Sequence, residues 1–177
     1  MAQDNNHIAS EFEKIKNEAI FTLSRLVNLY GLTFSESRLF SFMFLENNPM
    51  TLDEMSHSLG MSKTSMSTGV RSLLDTQMVE RTWKKGIRKD LYMAEEDLYK
   101  IFSNAFIEQW SSSIEHNTKS LNEISRELTV LSTKLDDPDL QAPISEYSKK
   151  IEDVINFYKW LSDTFDEIQN KIDNLQK

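Results

Sequence analysis

The 177-residue chain carries 20 Lys and Arg against 28 Asp and Glu, a formal charge of -8, which excludes a surface uniformly attractive to nucleic acid or anionic membrane. With no cysteine, disulfide staples, zinc–thiolate sites and thiol catalysis are excluded too. The four Gly and three Pro fall well below average usage of roughly 7 % and 5 %, so turns are few and helices should dominate. His7, His57 and His116 lie far apart and show no metal-ligand spacing, so neither a metal nor a cofactor is expected. The polar start MAQDNNHIAS does not read as a signal peptide, and no apolar run reaches the length of a membrane span. A soluble cytoplasmic protein with no membrane partner is the expectation.

Residues 9–30 place Phe12, Ile15, Ala19, Leu26, Val27 and Tyr30 on one helical face, and Gly31 reads as its C-cap. Ser35 is expected to cap a second helix whose Leu39, Phe40, Phe42, Met43, Phe44 and Leu45 make it too apolar for a free surface. Asn47, Asn48 and Pro49 stop that helix. Thr51 with Glu54 three residues on forms a capping box and opens a short helix burying Leu52, Met55 and Leu59. After Gly60, Ser62 caps a helix with Met66, Val70, Leu73 and Leu74 inward. Gly69 falls inside it, at a cost of about 1 kcal/mol against Ala unless close packing requires it. Residues 79–83 and 91–93 read as short strands around a basic turn at 84–90 with Gly86 at its tip.

From Glu95 the pattern is helical to the end, broken at Asp136–Pro143. Ile114, Leu121, Ile124, Leu128, Leu131 and Leu135 form a heptad-like stripe. Ile151, Val154, Tyr158, Leu161, Phe165, Ile168, Ile172 and Leu175 form a cleaner one, in steps of three and four. Such seams want partner helices. A dimer interface is favoured over an internal helical hairpin, because few other helices are available to cover both stripes.

Two short helices meeting at Gly60, the second followed by a basic hairpin, outline a winged helix-turn-helix. Turned away from its apolar stripe, the second helix presents Ser62, Lys63, Thr64, Ser67, Thr68 and Arg71. Short hydroxyl side chains with a few cations can enter a major groove without bulk, and Arg can grip guanine through two bonds. Residues 61–93 hold seven Lys or Arg against Asp75, Glu80 and Asp90, a net of +4, whereas residues 1–60 sum to -4 and 94–177 to -8. An acidic body with one basic face orients itself on DNA.

The segments YGLTFSESRLFSFMFLENNPM, GMSKTSMSTGVRSLL and WKKGIRKDLY resemble the GbsR-like branch of the MarR-type winged-helix transcription regulators. The likeness covers roughly residues 27–97; over the C-terminal helices it extends to pattern and length. It implies a dimeric repressor of genes for osmoprotectant uptake or synthesis, such as choline import and its oxidation to glycine betaine. It also implies Ser62, Lys63, Thr64, Ser67, Thr68 and Arg71 at the groove, with Lys84, Lys85, Arg88 and Lys89 in the wing.

A quaternary ammonium effector such as choline needs aromatic faces. The candidates are Tyr99, Phe102, Phe106 and Trp110 on one helical face with Tyr30, Phe40 and Phe44 opposite, and Tyr147, Phe157 and Trp160 form a second group. The expectation is therefore a mainly α fold. Residues 1–34 add a helix to a dimerisation body, 35–93 form the winged helix-turn-helix, and 94–177 form a helical dimerisation and effector region. Its partners are double-stranded operator DNA, a second copy and a small effector. The alternatives are a MarR-type sensor of an unrelated ligand and a helical protein-interaction module. An enzyme fits poorly, since no Ser-His-Asp signature, phosphate loop or metal cluster occurs.

Overall fold

Local signals set most element boundaries. In the computed structural model, which describes residues 2–135 and 137–175, α1 spans Ala2–Val27 and leads into a 3-10 turn, Asn28–Tyr30. Gly31 closes that turn at φ 84° and donates its N–H to the Asn28 carbonyl, a conformation that suits a residue without Cβ. Helix α2, Phe34–Glu46, is capped by Thr33 and not by Ser35. The Thr33 hydroxyl accepts from the Glu36 N–H at 3.3 Å, and the Glu36 carboxylate accepts from the Thr33 N–H at 2.7 Å. Three residues after Ser35 stands Arg38, which cannot close that reciprocal box. Helices α3, Leu52–Leu59, and α4, Lys63–Asp75, begin where expected, on the Thr51–Glu54 box and on Ser62.

Strands β1, Val79–Thr82, and β2, Leu91–Ala94, pair antiparallel, with Val79 opposite Ala94 and Thr82 opposite Leu91. Met50 and Tyr92 exchange two backbone hydrogen bonds of 2.9 Å, so the loop ahead of α3 adds a single-residue bridge on the other side of β2 from β1. Next come α5, Leu98–Phe102, a π-helical turn, Ser103–Ile107, then α6, Glu108–Thr133, and α7, Pro138–Leu175. This mainly helical fold with one small hairpin is a winged helix-turn-helix with long helices. The chain divides into two compact units, Met1–Ala105 and Phe106–Lys177.

In the first unit, α2 packs against α1, α4 and β2. Leu39, Phe40, Met43, Met55, Met66, Leu73 and Met78 are fully buried. Gly69 marks a close approach of α4 to α2, since a Cβ there would lie 2.9 Å from Leu39 Cδ2. Leu39 must shift to admit a side chain there, so Gly69→Val should lower stability by about 1–3 kcal/mol. A denaturation midpoint equal to the parent's would contradict this close approach.

The apolar face by which α1 joins this core is Ile20, Leu23 and Val27, with Ser24 buried among them. The expected stripe is largely a different face. Of it, Val27 is buried and Tyr30 half-buried, but Phe12, Ile15, Ala19 and Leu26 are exposed. Helix α1 has two apolar lines at helical spacing, and the length of α2 covers one of them, toward the C-terminal half.

In the second unit, α6 and α7 pack on each other as a helical hairpin. Ile114, Leu121, Leu128 and Leu135, seven residues apart, are the apolar positions of their stripe that lose exposure. On α7, Phe165 and Ile172 are buried, and Ile151, Tyr158, Leu161 and Ile168 are half-buried. The seam thus closes within the chain, where the sequence favoured a contact between chains. Ile124, Leu131 and Val154 stay exposed, because two packed helices cover only a narrow line on each other. Phe165 lies beside Phe106 and Trp110, with ring centroids 6.0 and 6.3 Å away.

The expected break at Asp136–Pro143 is shorter in the structure, because α7 already starts at Pro138 and runs through Pro143; Asp136 lies outside the described residues. Asp137 organises this start. Its carboxylate accepts from the Asp139 N–H at 3.0 Å, and its carbonyl accepts from Leu140 and Gln141. Proline suits a first helical position. Pro143 deprives only the carbonyl of exposed Asp139 of its intrahelical donor.

Candidate nucleic-acid interface

Helix α4 is divided sharply by burial. Met66, Gly69, Val70 and Leu73 face the core, Ser62, Lys63, Thr64, Thr68 and Arg71 are exposed, and Ser67 is half-buried. The polar face expected from the sequence is therefore the outer face. Ser62 has a local task as well. Its hydroxyl accepts from the Ser65 N–H at 3.1 Å and lies 2.9 Å from the Ser65 hydroxyl, which makes it the helix cap. No acidic residue stands in the first turn of α4, so its positive dipole end is open to an external anion.

The wing turn, residues 83–90, is closed by the Ile87 N–H donating to the Lys84 carbonyl at 3.1 Å, with Gly86 at φ 91°. Lys84, Lys85, Arg88 and Lys89 are all exposed. Arg81 stacks over the Tyr92 ring at 5.7 Å and reaches Asp90 at 3.9 Å. Among the described residues, the side chains of Lys84, Lys85, Arg88 and Arg71 make no ion pair. Unpaired cations on an exposed hairpin and helix suit phosphate contacts.

Asp53 of α3 is the member that sequence reading missed. Its carboxylate lies 2.7 Å from Lys63 Nζ and 2.8 Å from Lys89 Nζ, tying the first residue of α4 to the wing. Hydrogen bonds from Lys63 and then Lys89 hold its carboxyl at about 2, below the ordinary carboxylate range, and raise Lys89 in return. No local pattern connects positions 53, 63 and 89, since the fold alone brings them together. The depressed carboxyl fixes the sign of the pH dependence: the clamp is intact above the ordinary carboxylate range and is lost as pH falls through about 2. Asp53→Asn removes one negative charge and frees two cations. It should strengthen binding to random duplex and steepen the salt dependence by about one unit of slope per subunit. An unchanged slope would show that both lysines stay engaged elsewhere.

The candidate effector residues fall into separate groups. In the first unit, Tyr30 lies beside Phe102, centroids 6.1 Å apart, and burial raises the Tyr30 hydroxyl's pKa. Phe40 packs against Phe44 at 5.7 Å and is fully buried, while Tyr99 is exposed on α5. In the second unit, Phe106 meets Trp110 at 5.9 Å. Phe157 and Trp160, 5.8 Å apart, are exposed on α7, as is Tyr147. A cleft of about 460 Å³ opens between α1, α2 and α3, lined by Lys16, Ile20, Arg38, Phe42 and Glu46 among others. His57 is exposed in the last turn of α3. Among the described residues, no cluster of His, Asp and Glu could hold a metal, and no helix is long and apolar enough to cross a membrane.

Residues 98–172 match the family described as GbsR family transcriptional regulator, C-terminal helical hairpin. The chain is 33% identical over 167 residues to the HTH-type transcriptional repressor GbsR of Bacillus subtilis (strain 168), covering 94% of this chain and 92% of that one. It is 29% identical over 151 residues to the HTH-type transcriptional repressor OpcR of the same organism, covering 85% and 82%. A crystal structure of a transcriptional regulator is similar at a TM-score of 0.55 and 15% identity, covering 91% of this chain and 97% of that one. That last likeness bears on the fold alone.

Proposed function

The chain belongs to the GbsR family of transcriptional regulators, and from that premise we propose that it is a homodimeric repressor occupying its operator through α4 and the wing. It is a regulator and not an enzyme. The observation that carries the DNA contact is the coincidence of exposed Thr64, Thr68 and Arg71 on α4 with unpaired cations in the wing. This coincidence falls in the one basic stretch of an acidic chain. Each α4 would enter a major groove, with the wings on flanking DNA. Two-fold symmetry then implies an inverted repeat with half-sites about 10 bp apart or a small multiple. Arg71→Ala tests this directly. It should cost about 1–3 kcal/mol of operator affinity and relax preference at one base pair, with helix content unchanged. Parental affinity and preference would remove α4 from base reading.

The homodimer is supported by apolar surface left uncovered in each unit. On α1, Ile8, Phe12, Ile15 and Leu26 are exposed; on the hairpin, Ile124, Leu131, Phe157 and Trp160 are. A soluble regulator keeps such area dry by pairing.

The regulated genes in this proposal serve osmoprotectant uptake or synthesis, and the effector is a quaternary ammonium compound such as choline. Support comes from family membership and from the half-buried Tyr30–Phe102 pair and the pair of half-buried Phe106 with exposed Trp110, whose faces suit a poorly hydrated cation. Binding to the promoter upstream of its own gene, with and without choline, tests this reading. A second reading, a regulator of different ligand specificity, is favoured by the cleft at α1, α2 and α3. Half-buried Arg38, without an ion pair among the described residues, lines it beside the 2.5 Å Lys16–Glu46 pair. Because Glu13 and Glu54 line it too, a zwitterionic ligand would match that mixed lining. Loss of a choline response in Phe102→Ala, with Arg38→Ala responding normally, would select the first reading.

A further inference from the structure

Trp83 opens the wing turn, one residue beyond β1, and is 78% exposed. That makes it the most exposed large hydrophobic side chain among the described residues. Continuing the β1–β2 register past the Thr82–Leu91 pair sets it opposite Asp90. Asp90 adjoins Lys89, which Asp53 ties to Lys63 at the start of α4. The root of the wing and the entrance of the recognition helix are therefore parts of one connected surface. The only other exposed apolar residue of the turn is Ile87, at 40%. The same turn carries exposed Lys84, Lys85 and Arg88, which have no ion pair among the described residues.

An apolar ring set among unneutralised cations fits an anionic surface that also offers apolar edges. Duplex DNA is such a surface. Its phosphates line the groove walls, while deoxyribose faces and base edges line the minor groove between them. Apolar side chains that enter that groove shed water against the sugars and partly unstack a base step. Resting on the DNA-binding reading above, we propose that Trp83, together with Ile87 of the same turn, is a minor-groove contact of the operator complex. The lysines and Arg88 hold the phosphates on either side, and the indole supplies the apolar contact between them. This contact adds affinity without a charge, so its removal leaves a different signature from the removal of a lysine.

The test uses the full chain labelled with 5-fluorotryptophan, whose three indoles are Trp83, Trp110 and Trp160; Trp83→Phe identifies the Trp83 fluorine resonance. The probe is a duplex of the promoter upstream of its own gene, with a random-sequence duplex for comparison. At saturation the Trp83 resonance should move and lose its response to exchange of water for deuterium oxide. Trp83→Ala should weaken binding by about tenfold or more, the scale of an aromatic contact to nucleic acid, with the salt slope unchanged. Trp83→Phe should retain more affinity than Trp83→Ala. A Trp83 resonance unmoved on saturated duplex, or parental affinity in Trp83→Ala, would overturn the proposal. So would a weakening accompanied by a flattened salt slope, which would mean displaced lysines. A parent protein that binds neither duplex at low salt would instead sink the DNA-binding reading and this contact with it.

Discussion

Replacing Lys84, Lys85, Arg88 and Lys89 together by Ala is expected to weaken operator and random duplex in parallel, by on the order of 10³-fold at moderate salt. All four side chains are exposed, so the winged helix should fold normally without them. Phosphate contacts carry no sequence information, so the ratio of specific to random affinity should barely move. The slope of log affinity on log salt should shrink by about 0.9 for each phosphate that is no longer neutralised. Lys89 should give the smallest single effect, because part of its charge is already met by Asp53 and its removal leaves Asp53 to Lys63. A quadruple variant that keeps the parental salt slope would mean that the hairpin points away from DNA.

The second large effect concerns assembly. Ile15 and Leu26 are 57% and 54% exposed, so Ile15→Glu with Leu26→Glu should leave the single chain as stable as before. If the outer line of α1 pairs two subunits, the same carboxylates would be buried without partners, at a cost of several kcal/mol. The double variant should sediment as a monomer. It should also lose about 10²- to 10⁴-fold in operator affinity, because two half-sites are no longer read together. Leu161→Glu makes the contrast. Leu161 is half-buried between α6 and α7, so a charge there should reduce helicity and thermal stability of the hairpin. A double α1 variant that remains dimeric and binds DNA normally would remove α1 from the interface.

What the sequence revealed was mostly what neighbouring residues determine. The Thr51–Glu54 box, the Ser62 cap, the Gly31, Gly60 and Gly86 positions and the basic hairpin all depend on residues a few positions apart. Each appears in the structure as read. Which polar face of α4 is outward followed from the positions of Met66, Val70 and Leu73. The difficulties arose where two local solutions compete or where distance in sequence is large. Helix α1 offers two apolar lines, and only the position of α2 decides that Ile20, Leu23 and Val27 go inward. The α7 seam is compatible with a partner from the same chain or another, and packing against α6 resolves it inward. Thr33 and Ser35 are both good caps, and Glu36 selects Thr33. Asp53 looked like an ordinary acidic residue in the first turn of a helix. Its clamp on Lys63 and Lys89 joins three elements through the tertiary fold.

The most direct test of DNA recognition by α4 and the wing is the salt dependence of binding to the promoter duplex, followed by fluorescence anisotropy of the labelled DNA. Four to six phosphate contacts per subunit predict a slope of about -7 to -11 for the proposed dimer. Affinity should then fall by about 10⁴- to 10⁶-fold between about 50 and 200 mM salt. Binding that is indifferent to salt, or undetectable even at the low end of that range, would contradict the account.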